Sequence, residues 1–171
     1  MDLNNCQVYA SRLQDGSVDL TVKLAIVNEL RDAIEIVQSQ DYPKYLALIL
    51  PPFISLLSVE ISPVFINTQT DQKLRLTLLE ILHRLPQSDA LRPYAQSLMA
   101  CLMDVLRNDN EENASVALKI IVDLHKNFKT LVEEHVQPFF DFVQDSYKNM
   151  STAVERAFSE DASVSLWFTS S

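Results

Sequence analysis

A single glycine, Gly16, serves all 171 residues. Tight hairpin turns and strand bulges draw on glycine for positive φ, and a phosphate-cradling loop needs at least two within one motif. That scarcity excludes a sheet-rich fold and a nucleotide-binding loop together. Cysteine is nearly as scarce: Cys6 and Cys101 stand far apart, with no CxxC and no Cys/His cluster. Neither a zinc site nor a disulfide framework is expected, and both thiols read as free or buried in a reducing compartment. Basic residues are short as well, 14 Lys and Arg against 23 Asp and Glu, for a net charge of −9. Direct nucleic-acid binding needs clustered Lys and Arg, and an anionic membrane surface would repel such a chain. The acidic balance reads as solubility rather than as a device for catching basic partners. The longest apolar run, 46–57, is interrupted by Pro51-Pro52 and is shorter than the roughly 20 residues a bilayer span requires. The opening MDLNNCQVYASRL has no basic stretch followed by an apolar one, so no secretory signal is expected.

What remains is helix-forming material. The chain is 47% hydrophobic, enough to bury a core, and the length suits one domain of about 100–200 residues. Leu, Ala, Val, Ile, Glu and Gln dominate and favour helices. Residues 2–14 form a short helix on Leu3, Cys6, Val8, Tyr9 and Leu13, stopped by Asp15-Gly16-Ser17. Over 18–38 the stripe Val22, Ala25, Ile26, Leu30, Ala33, Ile34, Val37 steps by threes and fours. Asp41-Tyr42-Pro43 opens a third helix, which Pro51-Pro52 either kinks or splits. Residues 61–70 read as a loop. Thr70 or Asp71 caps a helix to about Leu85, on Leu74, Leu78, Ile81, Leu82 and Leu85, stopped by Pro86. Ser88 or Asp89 caps the next, entered around Pro93 and running to about Arg107. A helix over 112–128 on Val116, Ala117, Ile120, Ile121 and Leu124 follows an acidic turn. Thr130-x-x-Glu133 then has the spacing of a capping box. It opens a helix to about Asn149 on Leu131, Val136, Phe139, Phe142, Val143 and Tyr147.

These helices repeat. Pro52-Phe53, Pro93-Tyr94 and Pro138-Phe139 recur at intervals of 41 and 45, and they bring Leu50, Leu91, Val136 and Leu57, Leu98, Val143 into register. Leu82-His83-Arg84 and Leu124-His125-Lys126 recur at 42. Periods of roughly 40–47 residues with two helices each mark HEAT or armadillo arrays. The expected fold is therefore all-α, a HEAT/armadillo-like α-solenoid of antiparallel helix pairs over residues 1–150. Residues 151–171 form a separate tail, with a short helix near 153–158 and a Ser-rich end carrying Trp167-Phe168.

No residue set offers chemistry. His83 and His125 sit one repeat apart near helix C-termini, where a cationic side chain complements the dipole. Asp109, Glu111 and Glu112 lack the ligand spacing and the glycine of a calcium loop. Asp109-x-x-Glu112 reads instead as a capping box at a helix start. Asn113-Ala114-Ser115 and Asn149-Met150-Ser151 match the glycosylation pattern by coincidence, without a secretory signal. Serine has no nucleophile-elbow context, and no Cys/His pair sits where a nucleophile needs its base. The aromatics Phe53, Tyr94 and Phe139 read as packing between repeats. Catalytic, cofactor-binding and metal residues are all expected to be none, and the chain is read as not an enzyme.

Three runs go beyond a generic repeat: QKLRLTLLEILHRLP (72–86), LRPYAQSLMACLMDVLRNDNEENASVALKIIVDLHKN (91–127) and VQPFFDFVQDSYKN (136–149). In order and spacing they resemble the N-terminal HEAT segment of the transformation/transcription domain-associated protein (TRRAP) family. DNEEN before an apolar helix is the most telling part, and the resemblance covers about residues 9–149. Members are very large α-solenoids related to the phosphatidylinositol-3-kinase-like kinases, with an inactive kinase-like domain. They are scaffold subunits of nuclear histone acetyltransferase complexes of the SAGA and NuA4 kinds, and contacts for transcriptional activators. The resemblance thus implies a non-catalytic scaffold or protein-interaction segment of a nuclear transcription cofactor. Its expected partners are acetyltransferase-complex subunits and activators, and no family site residue maps onto this stretch.

Such a protein should continue far beyond Ser171, and the last twenty residues carry no part of the resemblance. A gene fragment, a truncated isoform and a mistaken exon end are the three readings of that departure. The rival function is a stand-alone HEAT-like adaptor gripping a peptide or helix, without a chromatin role. A repeat stack interrupted mid-array leaves its last apolar face partly covered. On that ground Phe139, Phe142 and Val143 are expected to make the isolated chain marginally stable or self-associating.

Overall fold

The computed structural model describes residues 3–33, 40–59 and 69–150, and every regular element among them is helical. In chain order these are α1 (Leu3–Gln14), α2 (Leu20–Ala33), α3 (Tyr42–Leu57) and α4 (Thr70–Arg84). A 3-10 segment (Asp89–Tyr94) leads into α5 (Ala95–Asn108), then α6 (Glu111–Phe128) and a 3-10 turn (Glu133–His135). Residues 136–150 form α7. The chain divides into two compact units, 1–133 and 134–171. None of the helices among the described residues is long and apolar enough to cross a membrane.

In the first unit α1 packs on α3 and α3 on α5, while α2 packs on α4 and α4 on α6. Consecutive helices cross between these two rows as α1·α2, α3·α4 and α5·α6. Three helix pairs stacked in two layers are an α-solenoid, as the 41–45-residue recurrence predicts. α4 lies between α2 and α6. Gln72, Leu74, Arg75, Thr77, Leu78, Leu79, Ile81 and Leu82 are all buried along it. The predicted α4 stripe is therefore right but too narrow, because a helix with neighbours on several sides hides more than one face.

The α2 stripe is rotated from its predicted position. Lys23, Ile26, Val27 and Leu30 face inward, whereas Val22 is 36% exposed and Ala25 is exposed. Lys23 lies within this arc although it is charged, a burial that hydrophobicity patterns do not register. Ile34 and Val37 lie outside the described residues, as do residues 61–68 of the predicted 61–70 loop and the whole tail 151–171, while Thr70 belongs to α4. α2 is capped by Asp19, whose Oδ1 accepts the Thr21 N–H at 2.7 Å.

α3 runs unbroken through Pro51 and Pro52, so the pair neither splits the helix nor ends it. Pro51 is exposed and Pro52 buried. The two rings remove the N–H groups that would reach the carbonyls of residues 47 and 48. α4 starts at Thr70 itself, with Gln69 at its N-cap position and no side-chain cap bond, so neither Thr70 nor Asp71 caps it. Ser88 precedes the 3-10 segment, and α5 proper begins at Ala95, beyond Pro93. The repeat prolines thus occupy different depths: Pro52 lies deep in α3, whereas Pro93 lies ahead of α5. Their leucine companions do share a role, since Leu50, Leu57, Leu91 and Leu98 are all at most 3% exposed.

In the second unit α7 leaves Phe140, Val143, Tyr147 and Met150 exposed. Phe139 meets Phe140 edge-to-face, ring centroids 6.0 Å apart. Residues 133–135 form a 3-10 turn and α7 begins at 136, so Thr130-x-x-Glu133 does not open the helix as a capping box. Just before that turn Val132 is buried, whereas the predicted Leu131 is half-buried.

Two substitutions test this arrangement. Leu78→Ala, at a fully buried α4 position, is expected to cost about 2–5 kcal/mol in urea denaturation. Pro51→Ala restores a backbone donor at an exposed position and is expected to stabilise by about 2 kcal/mol, net of the proline's effect on the unfolded chain.

Candidate functional site

The densest polar constellation in the first unit lies where α4 meets the α5–α6 turn. Gln72 and Arg75 stand three residues apart on α4, so both side chains project from one face. Asp109, Asn110 and Asn113 come from the turn and the first turn of α6. Gln72, Arg75, Asn110 and Asn113 are buried, and the Asp109 side chain is 1% exposed.

Arg75 is the centre. Its Nε donates to Asp109 Oδ2 at 2.7 Å, and its Nη1 donates to the carbonyls of Leu57 (2.9 Å), Leu56 (3.2 Å) and Val59 (3.4 Å). Those carbonyls belong to the C-terminal end of α3, which carries no basic residue in its own last turn. Helix ends leave their last carbonyls without partners, and a cation there also meets the negative end of the dipole. A side chain of α4 therefore caps α3. Asp109 Oδ1 accepts from the Asn110 N–H at 2.8 Å and from Asn113 Nδ2 at 3.0 Å. Asn110 Nδ2 donates to Gln72 Oε1 at 2.6 Å, and Asn113 Nδ2 reaches the same oxygen at 3.4 Å.

The cap of α6 is Asn110, whose Oδ1 accepts the Asn113 N–H at 2.9 Å. Sequence spacing had pointed to Asp109-x-x-Glu112. The carboxylate of Asp109 is instead drawn back to Arg75, which leaves the next residue to cap. A second reading also takes its physical reason here: Asn113, first residue of a glycosylation-like triplet, is 0% exposed and has no room for a glycan.

The remaining sequence candidates do not join this cluster. His83 is exposed and His125 half-buried, each in the last turn of its helix. Among the described residues no three His, Cys, Asp or Glu side chains converge as a metal-binding group. Cys6 and Cys101 are buried and form no disulfide. Burial pushes the Cys101 thiol up from its ordinary value, with Ser58 Oγ at 3.8 Å and the Ile54 carbonyl at 3.9 Å, so it stays a thiol and a poor nucleophile. On α7 a shallow open depression of ≈ 580 Å³ runs along Gln137, Phe140, Asp141, Val143, Gln144 and Tyr147.

What the buried cluster does chemically is hold. Its side chains are buried, and the charges of Arg75 and Asp109 are matched to each other. Gln72 Nε2 and Asn113 Oδ1 find no partner among the described residues, which costs roughly 1–3 kcal/mol for each such atom. Removing one member of a buried ion pair strands the other. Asp109→Ala is accordingly expected to destabilise by about 3–5 kcal/mol, and Asn110→Ala by about 1 kcal/mol from the lost cap alone. Paired denaturation curves check both the values and their order.

No family model matches this sequence, and no solved structure matches it. Curated proteins do. The chain is 38% identical over 157 residues to a probable transcription-associated protein 1 of Dictyostelium discoideum, covering 91% of this chain and 3% of that protein. It is 34% identical over 161 residues to the SAGA complex/NuA4 acetyltransferase complex subunit Tra1 of Schizosaccharomyces pombe, covering 92% of this chain and 4% of the subunit. It is 31% identical over 151 residues to the Homo sapiens transformation/transcription domain-associated protein, covering 88% and 4%. The chain thus spans 3–4% of the length of these relatives. The aligned stretch takes in most of the chain, and by that relationship the chain belongs to the TRRAP/Tra1 family of transcription-associated proteins.

Proposed function

We propose that this chain is a non-catalytic scaffold and protein-interaction segment of a nuclear transcription cofactor, acting in histone acetyltransferase complexes of the SAGA and NuA4 kinds. The observation that carries this reading is the 34% identity over 92% of the chain to a subunit named for both complexes. The use of the sequence supports it. Gln72 and Arg75 of QKLR and Asp109, Asn110 and Asn113 of DNEEN, the runs that mark the resemblance, are committed to holding helices together. Partners are then acetyltransferase-complex subunits and transcriptional activators. Residues 1–150 are proposed as one helical-repeat stack, with 151–171 as a separate tail.

Purification of the tagged chain from nuclear extract of its source organism tests this proposal. Histone acetyltransferase activity is expected in the eluate and absent from a mock eluate. An eluate that holds partner proteins but no such activity would favour the second reading, a stand-alone adaptor that grips a peptide or helix.

The exposed Phe140, Val143 and Tyr147 of α7 support that second reading, and they equally support self-association. Sedimentation equilibrium is expected to show a mass that rises with concentration. Phe140→Ser with Val143→Ser is expected to return the chain to the monomer mass.

A further inference from the structure

We infer that α7 pairs antiparallel with α7 of a second copy of this chain, about a two-fold axis level with Asp145. The inference rests on the self-association reading above and gives it a geometry. Val136, Phe140, Val143, Tyr147 and Met150 are spaced by 4, 3, 4 and 3 residues. That alternation is the seam of a coiled coil, narrower than the stripe of a helix lying on a core. Four of the five side chains, from Phe140 to Met150, are exposed, Tyr147 at 75%. A depression of ≈ 580 Å³ along Gln137, Phe140, Val143, Gln144 and Tyr147 runs beside them and offers room for a facing side chain. In the sequence the same spacing continues to Val154 and Ala157.

What borders the seam points to a second copy as its occupant. The flanking positions that meet across a coiled coil set partner choice through their charges. Here they hold Gln137 and Gln144 on one side and Phe139 and Ser146 on the other, all uncharged. The ionised groups lie away from the seam: Asp145 pairs with Lys148 at 3.8 Å, and Asp141 Oδ1 accepts from Gln137 at 2.8 Å. Two chains of net charge −9 therefore meet here without like charges in contact. A two-fold axis at 145 also maps the seam onto itself. Phe140 falls opposite the second copy's Met150 and Val143 opposite its Tyr147, with the reverse contacts following by symmetry. Each layer sets an aromatic ring against a smaller side chain, the alternation that fills a seam evenly. A parallel pair would instead stack ring on ring at 140 and 147 and leave valine on valine at 143.

Cysteine cross-linking of the 171-residue chain tests the pairing. In the antiparallel geometry the two copies of residue 144 share one flank, whereas the two copies of residue 150 lie about 15 Å apart along the axis. Copper-phenanthroline oxidation of Gln144→Cys is expected to give a disulfide-linked dimer on a non-reducing gel, and oxidation of Met150→Cys none. The native cysteines are buried, and the unsubstituted chain is the control, expected to stay unlinked. Adding Phe140→Ser with Val143→Ser to Gln144→Cys is expected to abolish the linked band. All four positions are exposed, and circular dichroism checks that each variant keeps its helicity. A Met150→Cys dimer overturns the antiparallel arrangement, and a Gln144→Cys dimer that survives the double serine substitution overturns the seam. No dimer from either cysteine variant leaves the face to residues 151–171 or to another protein and overturns the inference. A sedimentation mass that rises with concentration in that case leaves self-association standing without this pairing, and acetyltransferase activity in the eluate is read independently of all of these.

Discussion

The guanidinium of Arg75 closes the end of a helix to which it does not belong, and the middle of the structure depends on that arrangement. A common way to finish a helix is a glycine in the left-handed conformation just past its end. This chain has one glycine, and none of the described residues adopts positive φ. The carbonyls at the end of α3 need another donor, and Arg75 supplies it from α4. A buried cation then needs a counter-charge, which Asp109 provides from the α5–α6 turn. With Asp109 so engaged, Asn110 becomes the cap of α6, and Gln72 and Asn113 complete the set. A shortage in the composition thus propagates into the contact that joins two repeats.

That chain of consequences accounts for the two segments by which the family is recognised. QKLR and DNEEN lie far apart in sequence and read separately as a helix start and an acidic turn. In the folded unit they are the two sides of one buried contact. Substituting either side alone leaves a polar or charged partner stranded in the core, whereas a surface helix start would tolerate change. Glu111 and Glu112, between the buried members of DNEEN, remain at the surface in the first turn of α6, where negative charge suits the helix dipole.

The Arg75 cluster is buried between α4 and the α5–α6 turn, whereas α7 exposes Phe140, Val143, Tyr147 and Met150 among polar side chains such as Gln144 and Lys148.

The amino-acid sequence by itself determined the helical class and the period. Those features rest on local propensity, on apolar spacing and on proline and capping signals, all of which act within a few residues. It also marked Leu74, Leu78, Ile81 and Leu82 as core, because a strong stripe faces inward whatever its neighbours are. Only the tertiary structure decided the rest. Which arc of α2 turns inward depends on the surface it meets, so Lys23 was buried and Val22 was not. Whether Pro51-Pro52 broke α3 depended on packing that holds the helix together on both sides of the pair. Asp109 exchanged a cap for an ion pair because Arg75, 34 positions earlier, lies 2.7 Å away in space. A cap spacing is local, but a counter-charge arrives from elsewhere in the chain and can take the capping residue away, as Arg75 takes Asp109.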